Sequence, residues 1–159
     1  MTINEWSDAT AMAEAVQNKT VSPRELVEAT IREAERTNPK INAIVSQRYE
    51  KALKEAETRD FSERPFAGVP IFLKDLGQEQ AGEPSTAGSR LFTSYRATET
   101  DNYVKKLEKL GFIILGRSST PEFGFKNISD AQIHGPVNLP DDVTRNAGGS
   151  SGGAAALIS

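Results

Sequence analysis

The chain has 159 residues, a length that fits one domain, and its 26% charged residues give a formal net charge of −3. Lysine and arginine are scattered along it, which argues against nucleic acid as a partner, and no apolar run approaches the ~18 residues of a membrane span. There is no cysteine, which excludes disulfides, thiolate metal sites and cysteine nucleophiles, and no signal-peptide pattern is visible, so we expect a cytoplasmic protein.

The first third of the sequence predicts three helices. Ser7 can cap the first of them. A capping box, SPRE at residues 22–25, begins the second, and its apolar stripe ends near Pro39. A short extended piece over residues 42–46 leads into a third helix, which begins near Tyr49. The apolar faces of these helices are interpreted as packing surface.

After Pro65 the predicted elements change from helices alone to strands and a helix. The apolar run at residues 68–73 predicts a buried strand. Thr100 can cap the next helix, Gly111 is placed to end it, and residues 112–115 predict a second buried strand. Because strand, helix and strand follow in this order, the sequence predicts an α/β sheet.

The last part of the chain predicts a long loop followed by the start of a helix. Residues 117–146 are rich in Gly and Pro, and a loop of this length in a compact domain is typical of a functional segment. The apolar run at residues 154–158 indicates a buried helix. We therefore interpret residues 1–159 as a single partial domain, with a helical region at 1–62 and the start of an α/β core at 63–159.

Lys74 is the first candidate for chemistry. It directly follows four apolar residues at the end of the predicted strand, where burial can lower its pKa by disfavouring the charged form. A neutral lysine is a usable base. The alternative is a solvated lysine at a strand end, or one paired with Asp75.

The second candidate is the segment GGSSGG at residues 148–153. Its glycines let a substrate approach the main chain, and its two serines could serve as nucleophiles or proton carriers. It could instead be a flexible linker, although an apolar run follows it directly. A phosphate-binding turn is a third possibility, although the spacing matches neither the dinucleotide nor the P-loop motif.

His134 is the single histidine, so a Ser-His-Asp arrangement would have to include it. The alternative is a polar loop residue before Gly135 and Pro136. Three arginines in loop contexts receive no role from sequence: Arg90, Arg117 and Arg145.

Four motifs in the same chain carry a resemblance to a known family. They are GVPIFLKD at 68–75, TAGS at 86–89, GRSSTPEFG at 116–124 and AGGSSGGAAA at 147–156. In this order they resemble the amidase signature family, and the form TPEFG is similar to bacterial amidases of the 6-aminohexanoate-cyclic-dimer hydrolase type. The resemblance implies an α/β fold, the N-terminal fragment of the amidase signature fold. In it, N-terminal helices precede the first strands and helices of a mixed sheet.

The resemblance also implies an amide hydrolase with a Ser–cis-Ser–Lys triad and no cofactor or metal. Lys74 takes the place of the family's lysine, and Ser150 that of its bridging serine in a cis peptide. Gly149 and Ser151 are expected to contact a small-molecule amide substrate. The family's nucleophilic serine and oxyanion stretch lie farther along than this sequence reaches, so we expect the 159 residues alone to be inactive. Ser151 as a substitute nucleophile is the alternative.

Other functions stay open from sequence. The chain could be a naturally short protein that binds a partner or complements a second half. It could also be an anion-binding module, or resemble the amidase component of a tRNA-dependent amidotransferase. An unpaired sheet edge and uncovered apolar faces would favour self-association. We expect no nucleic acid and no membrane among the partners.

Overall fold

The computed structural model describes residues 7–159 and places a small mixed sheet among helices. The helices are α1 (Ala9–Gln17), α2 (Pro23–Ile41), α3 (Tyr49–Thr58), α4 (Asn102–Leu110) and α5 (Gly152–Leu157). The strands are β1 (Ile44–Gln47), β2 (Pro70–Lys74) and β3 (Ile113–Ser118). Two 3-10 turns lie at Arg90–Phe92 and Glu122–Gly124. None of the helices described within 7–159 is both long enough and apolar enough to cross a membrane.

The sheet has the order β1-β3-β2, with β2 parallel and β1 antiparallel to the central β3. The parallel pair joined through α4 confirms the predicted α/β arrangement. Because side chains alternate along a strand, β3 serves both faces of the sheet. Ile113 and Leu115 pack with α2 and α3 on one face, and Ile114 packs with Leu73 and Val104 on the other. The core therefore lies on both sides of β3.

The predicted starts of two helices are one residue off. Asp8, not Ser7, caps α1, since its carboxylate accepts a hydrogen bond of 2.8 Å from the Ala11 N–H. Asp101, not Thr100, is the N-cap residue of α4. The Thr100 hydroxyl oxygen instead accepts a hydrogen bond from the Ala81 N–H, so it fixes the preceding loop. The predicted capping box of α2 and the Gly111 end of α4 are confirmed.

Helix α2 continues past Pro39 to Ile41, so the predicted end near Pro39 is wrong. The proline costs α2 one backbone hydrogen bond, the one that an N–H at residue 39 would donate to the carbonyl oxygen of residue 35. The end of the helix is still closed by the hydrogen bond from the Asn42 N–H to the carbonyl oxygen of Asn38. The side chain of Asn38 also stabilises this end, since its Oδ1 accepts hydrogen bonds from the N–H groups of Ala43 (2.8 Å) and Ile44 (2.7 Å). This turn leads directly into β1, which makes the extended piece near residue 44 a strand of the sheet.

Strand β3 is longer than predicted, because it continues beyond Leu115 to Ser118 and is buried throughout. Its Gly116 has a φ of +152° and faces Gln47 of β1 and Phe72 of β2. A Cβ atom at this position would overlap the carbonyl oxygen of Ser46. Because residue 116 has no side chain, β1 can approach β3 closely enough to pair with it.

Candidate active site

Lys74 is the last residue of β2, where it lies opposite Ser118 of β3. Hydrogen bonds hold its backbone on both sides. Its N–H donates to Gln78 Oε1 (2.6 Å), and its carbonyl oxygen accepts from Arg117 Nη1 (3.0 Å). The backbone of Lys74 is therefore held without help from its side chain, and the amine can make other contacts.

The Lys74 amine meets both serines of the GGSSGG segment. Its Nζ lies 2.8 Å from Ser150 Oγ and 3.0 Å from Ser151 Oγ. The peptide bond between Gly149 and Ser150 is cis. Burial lowers the pKa of Lys74 below its ordinary value, because a half-buried amine loses part of the hydration that favours the ammonium form. The two sequence candidates, separated by 76 residues, therefore meet at one site.

Ser129 holds the GGSSGG segment in place from the neighbouring loop. Its side chain is fully buried, and its Oγ accepts a hydrogen bond of 3.1 Å from the Gly152 N–H at the start of α5. Its own N–H donates to the carbonyl oxygen of Gly148 (2.8 Å). One residue therefore ties both ends of the serine pair, and the flexible-linker interpretation is wrong for this segment.

The glycines around the serines permit close packing. A Cβ atom at Gly149 would lie 2.9 Å from the backbone of Ile128, and one at Gly152 would lie 2.6 Å from Ser129 Oγ. Gly153 faces the backbone of Ser119, where a Cβ atom would overlap its nitrogen. Larger residues at these positions would push the serines away from Lys74.

Asp75 points away from the amine and forms a separate buried cluster. It is 1% exposed, and its carboxylate accepts hydrogen bonds from the N–H and the hydroxyl of Thr86. Burial raises the pKa of Asp75, but the neighbouring His134 ring, the hydrogen bonds from Thr86 and the charge of Arg117 outweigh it, so the net pKa is lowered. The alternative in which Asp75 pairs with Lys74 is wrong, because this carboxylate serves the Thr86 loop.

His134 belongs to the Asp75 cluster. Its Nε2 lies 3.2 Å from Thr86 Oγ1 and 3.8 Å from Asp75 Oδ2. Its carbonyl oxygen accepts a hydrogen bond from Asn42 Nδ2. The contacts of Ser150 and Ser151 are with Lys74 instead, so the arrangement supports a polar loop histidine rather than a Ser-His-Asp site.

Arg117 is a site residue to which the sequence assigned no role. It is 2% exposed, and its guanidinium donates to the carbonyl oxygens of Lys74 and Gln78 (2.8 Å). Burial lowers the pKa of Arg117, although Asp75 and other carboxylates oppose this.

The sequence predicts a loop from residue 117, whereas Arg117 is a residue of β3. Its place in this strand brings the guanidinium to the carbonyl oxygens of Lys74 and Gln78. The apolar run of β3 ends at Leu115 and is followed by Gly116 and the polar residues Arg117 and Ser118, so no local pattern signals that the strand continues.

Chemically, the site has a half-buried amine beside two hydroxyls. A neutral amine can accept a proton from a hydroxyl, and that hydroxyl can accept one from a second donor. The arrangement can therefore carry a proton from a reacting group through a serine to lysine.

Comparison with known proteins agrees with the sequence motifs. Residues 25–159 match the family model described as Amidase. The chain is 40% identical over 156 residues to a lipoamidase from Enterococcus faecalis, covering 97% of this chain and 22% of that protein. It is 38% identical over 155 residues to a 6-aminohexanoate-cyclic-dimer hydrolase from Paenarthrobacter ureafaciens, covering 96% and 31%.

A solved structure of 6-aminohexanoate cyclic dimer hydrolase has a TM-score of 0.90 and 38% identity to this chain. The match covers 98% of this chain and 33% of that one. The chain thus spans a fifth to a third of the length of these relatives, a share consistent with an N-terminal fragment. On this match over residues 25–159, the chain belongs to the amidase family, whose members include the amidase signature enzymes.

Proposed function

We propose that this chain supplies the base and the bridging hydroxyl of an amide C–N hydrolase of the Ser–cis-Ser–Lys type. Lys74 is the base and Ser150 the bridge. The observation that carries the proposal is the distance of 2.8 Å between Lys74 Nζ and Ser150 Oγ, at an amine whose pKa is lowered by burial. The substrate class is a small-molecule amide, as the names of the relatives suggest.

The proposed reaction begins with a neutral Lys74. Its Nζ takes the hydroxyl proton of Ser150 while Ser150 Oγ takes the proton of a nucleophilic serine, whose oxygen bonds to the amide carbonyl carbon. The C–N bond then breaks, and the leaving amine receives the proton back through Ser150. Water attacks the resulting ester through the same relay and releases the acid. Backbone N–H groups stabilise the oxyanion in each step.

The nucleophile in this proposal is a serine outside the 159 residues. Ser150 already bridges to the amine, and Ser151 contacts the same Nζ at 3.0 Å. Gly149 and Ser151 are proposed to contact the substrate, since both are exposed at the mouth of the site. A polypeptide of these 159 residues is therefore proposed to be inactive alone.

Amide hydrolysis tests the proposed function directly. The full product of the gene and the 159-residue polypeptide are each assayed on a panel of linear and cyclic aliphatic amides and anilides, with amine release as the readout. We expect turnover by the full product only. Robust turnover by the 159-residue polypeptide would contradict its inactivity, and no turnover by either would contradict the proposed reaction.

The titration of Lys74 is expected below that of an ordinary lysine. Competitive acetylation at a series of pH values, read by mass spectrometry of the Lys74 peptide, gives its pKa in the native chain and in urea. The native pKa is expected to be the lower one. Between the two values the unfolded chain holds a proton that the native chain has lost, so Lys74 makes the free energy of unfolding rise with pH there. Equal pKa values in both states would contradict this.

Self-association is proposed as a property of the 159-residue polypeptide. Three apolar side chains support it, since Leu91 is 75%, Phe125 89% and Ile158 88% exposed. Size-exclusion chromatography over a hundredfold range of concentration is expected to show an apparent mass that rises with concentration. An elution volume that stays at the monomer position throughout would contradict it.

A further inference from the structure

Asp75 directly follows the proposed base, and its carboxylate is held by the first residue of the motif TAGS at 86–89. The N–H of Asp75 donates to the carbonyl oxygen of Ser118 (3.0 Å), just beyond the end of β2. Its carboxylate accepts from the Thr86 N–H (2.9 Å) and from the Thr86 hydroxyl. The chain next to Lys74 is therefore held through both the backbone and the side chain of Asp75.

The directions of the hydrogen bonds in this cluster follow from a count of protons. Asp75, whose pKa is lowered, is ionised at neutral pH and only accepts, whereas a threonine hydroxyl has a single proton to donate. The Thr86 hydroxyl gives that proton to Asp75, so it can only accept from His134 Nε2, which lies 3.2 Å away. Nε2 must therefore carry a proton, and the neutral ring is the Nε2–H tautomer. The distance from Nε2 to Asp75 Oδ2 is 3.8 Å, too long for a hydrogen bond, so Thr86 lies between the two.

His134 is itself held by two other parts of the fold. Its N–H donates to the carbonyl oxygen of Ala131 (3.0 Å), and its carbonyl oxygen accepts from Asn42 Nδ2 (2.8 Å) at the end of α2. Its side chain is only 18% exposed. An imidazole with a fixed backbone and little contact with water is suited to hold the Thr86 hydroxyl in one orientation.

We propose that His134 is a positioning residue, which donates its Nε2–H to Thr86 Oγ1 and so keeps the Thr86 hydroxyl on the carboxylate of Asp75. This inference rests on the proposed function, because its consequence is the placement of Lys74, the neighbour of Asp75 and the proposed base. Without the imidazole, the Thr86 hydroxyl loses a contact that orients it, and the chain after Lys74 is held less firmly. The loss of one net hydrogen bond of ordinary strength corresponds to about a fivefold effect on rate.

The ring of His134 can be observed directly, because the sequence contains a single histidine. In a proton–nitrogen correlation spectrum of the 159-residue chain, recorded where the ring is neutral, we expect the proton on Nε2. A free imidazole also favours this tautomer, so the exchange of the Nε2–H proton with water is the decisive readout. It is expected to be about fivefold faster or more in Thr86→Val, which keeps the shape of the side chain but removes the acceptor. A proton on Nδ1, or an exchange rate that Thr86→Val leaves unchanged, would overturn the proposal.

The kinetic test compares His134→Gln and His134→Met in the full product of the gene. Both variants leave the contact between Asp75 and Thr86 in place, so they test the proposal even where Thr86→Val does not fold. Glutamine can present an N–H near the position of Nε2, whereas methionine has a similar length and no donor. We expect kcat to fall about fivefold in His134→Met and to stay within about twofold of the parent in His134→Gln, with KM little changed in both. Equal kcat values in the two variants, or a change confined to KM, would overturn the proposal.

The positioning role and the proposed function fail in different ways. If the parent protein hydrolyses no amide, or if Lys74→Met leaves hydrolysis intact, the proposed function fails, and the exchange of the Nε2–H proton alone decides whether His134 holds Thr86. If Lys74→Met loses activity while the two His134 variants are equally active, only the positioning role of His134 fails.

Discussion

Replacing Lys74 with methionine in the full gene product is expected to lower kcat/KM for amide hydrolysis about 10³-fold or more. A positioned general base contributes roughly 10²- to 10⁴-fold, and methionine has a similar length but no basic nitrogen. The fold should be retained, because the hydrogen bonds of residue 74 to Gln78 and Arg117 use its backbone. Initial rates with a saturating and a limiting concentration of amide give kcat and kcat/KM separately.

The matched control for this variant is Lys105→Met, on the exposed side of α4. Its rates should equal those of the parent protein. The pH profile gives a further check. In the parent, kcat/KM is expected to rise with pH and level off at the lowered pKa of Lys74, because only the neutral amine accepts a proton. Residual activity within threefold of the parent in Lys74→Met would show that another group is the base.

Gly116→Ala is expected to cause the largest loss of stability, about 3 kcal/mol or more of the free energy of unfolding. The added Cβ would overlap the carbonyl oxygen of Ser46, and both groups belong to paired strands of the sheet. The φ of +152° adds backbone strain for any residue other than glycine. Urea denaturation of the 159-residue chain, followed by circular dichroism, measures the loss.

Gly77→Ala separates the overlap from the backbone strain. Gly77 also has a positive φ, +62°, but nothing lies within 4 Å of a Cβ built there. This variant is expected to lose only about 1 kcal/mol. If both variants lose the same amount, the contact between Gly116 and β1 does not limit the packing of the sheet. A Gly116→Ala chain that fails to fold at all agrees with the expectation, provided that Gly77→Ala folds.

Local patterns were sufficient for most of the fold. The capping box at residues 22–25, the glycine that ends α4 and the apolar runs before and after that helix predicted elements that the structure contains. The misplaced helix starts at Ser7 and Thr100 have one cause. An adjacent aspartate occupies the N-cap position of each helix, although only Asp8 makes a capping hydrogen bond. At α4 the side chains of Thr100 and Asp101 both bind backbone N–H groups of the preceding loop, those of Ala81 and Glu79, and such contacts are not visible in the local sequence.

The sequence predicted the two central residues of the candidate site but not the residues that hold them in place. Lys74 and Ser150 were selected by motif, and the structure brings them within hydrogen-bond distance. Their roles in catalysis stay predictions. The parts played by Ser129 and Arg117 could not be predicted, since a buried serine under a glycine-rich turn and a buried arginine under a strand have no local pattern. The contact of Ser129 with Gly152 and that of Arg117 with Lys74 each join segments that are far apart in sequence.

The separation of Lys74 and Ser150 along the chain also bears on the order of folding. Contacts between residues 76 positions apart close a long loop, which makes them slow to form, whereas α2 and α3 pack on each other across a short connection. Lys74 ends β2 and Ser150 lies just before α5, so we expect the amine and the serine to meet only when both elements are in place. We therefore expect helical circular dichroism to appear early during refolding. The altered acetylation of Lys74 should appear last, as a marker of the completed native state.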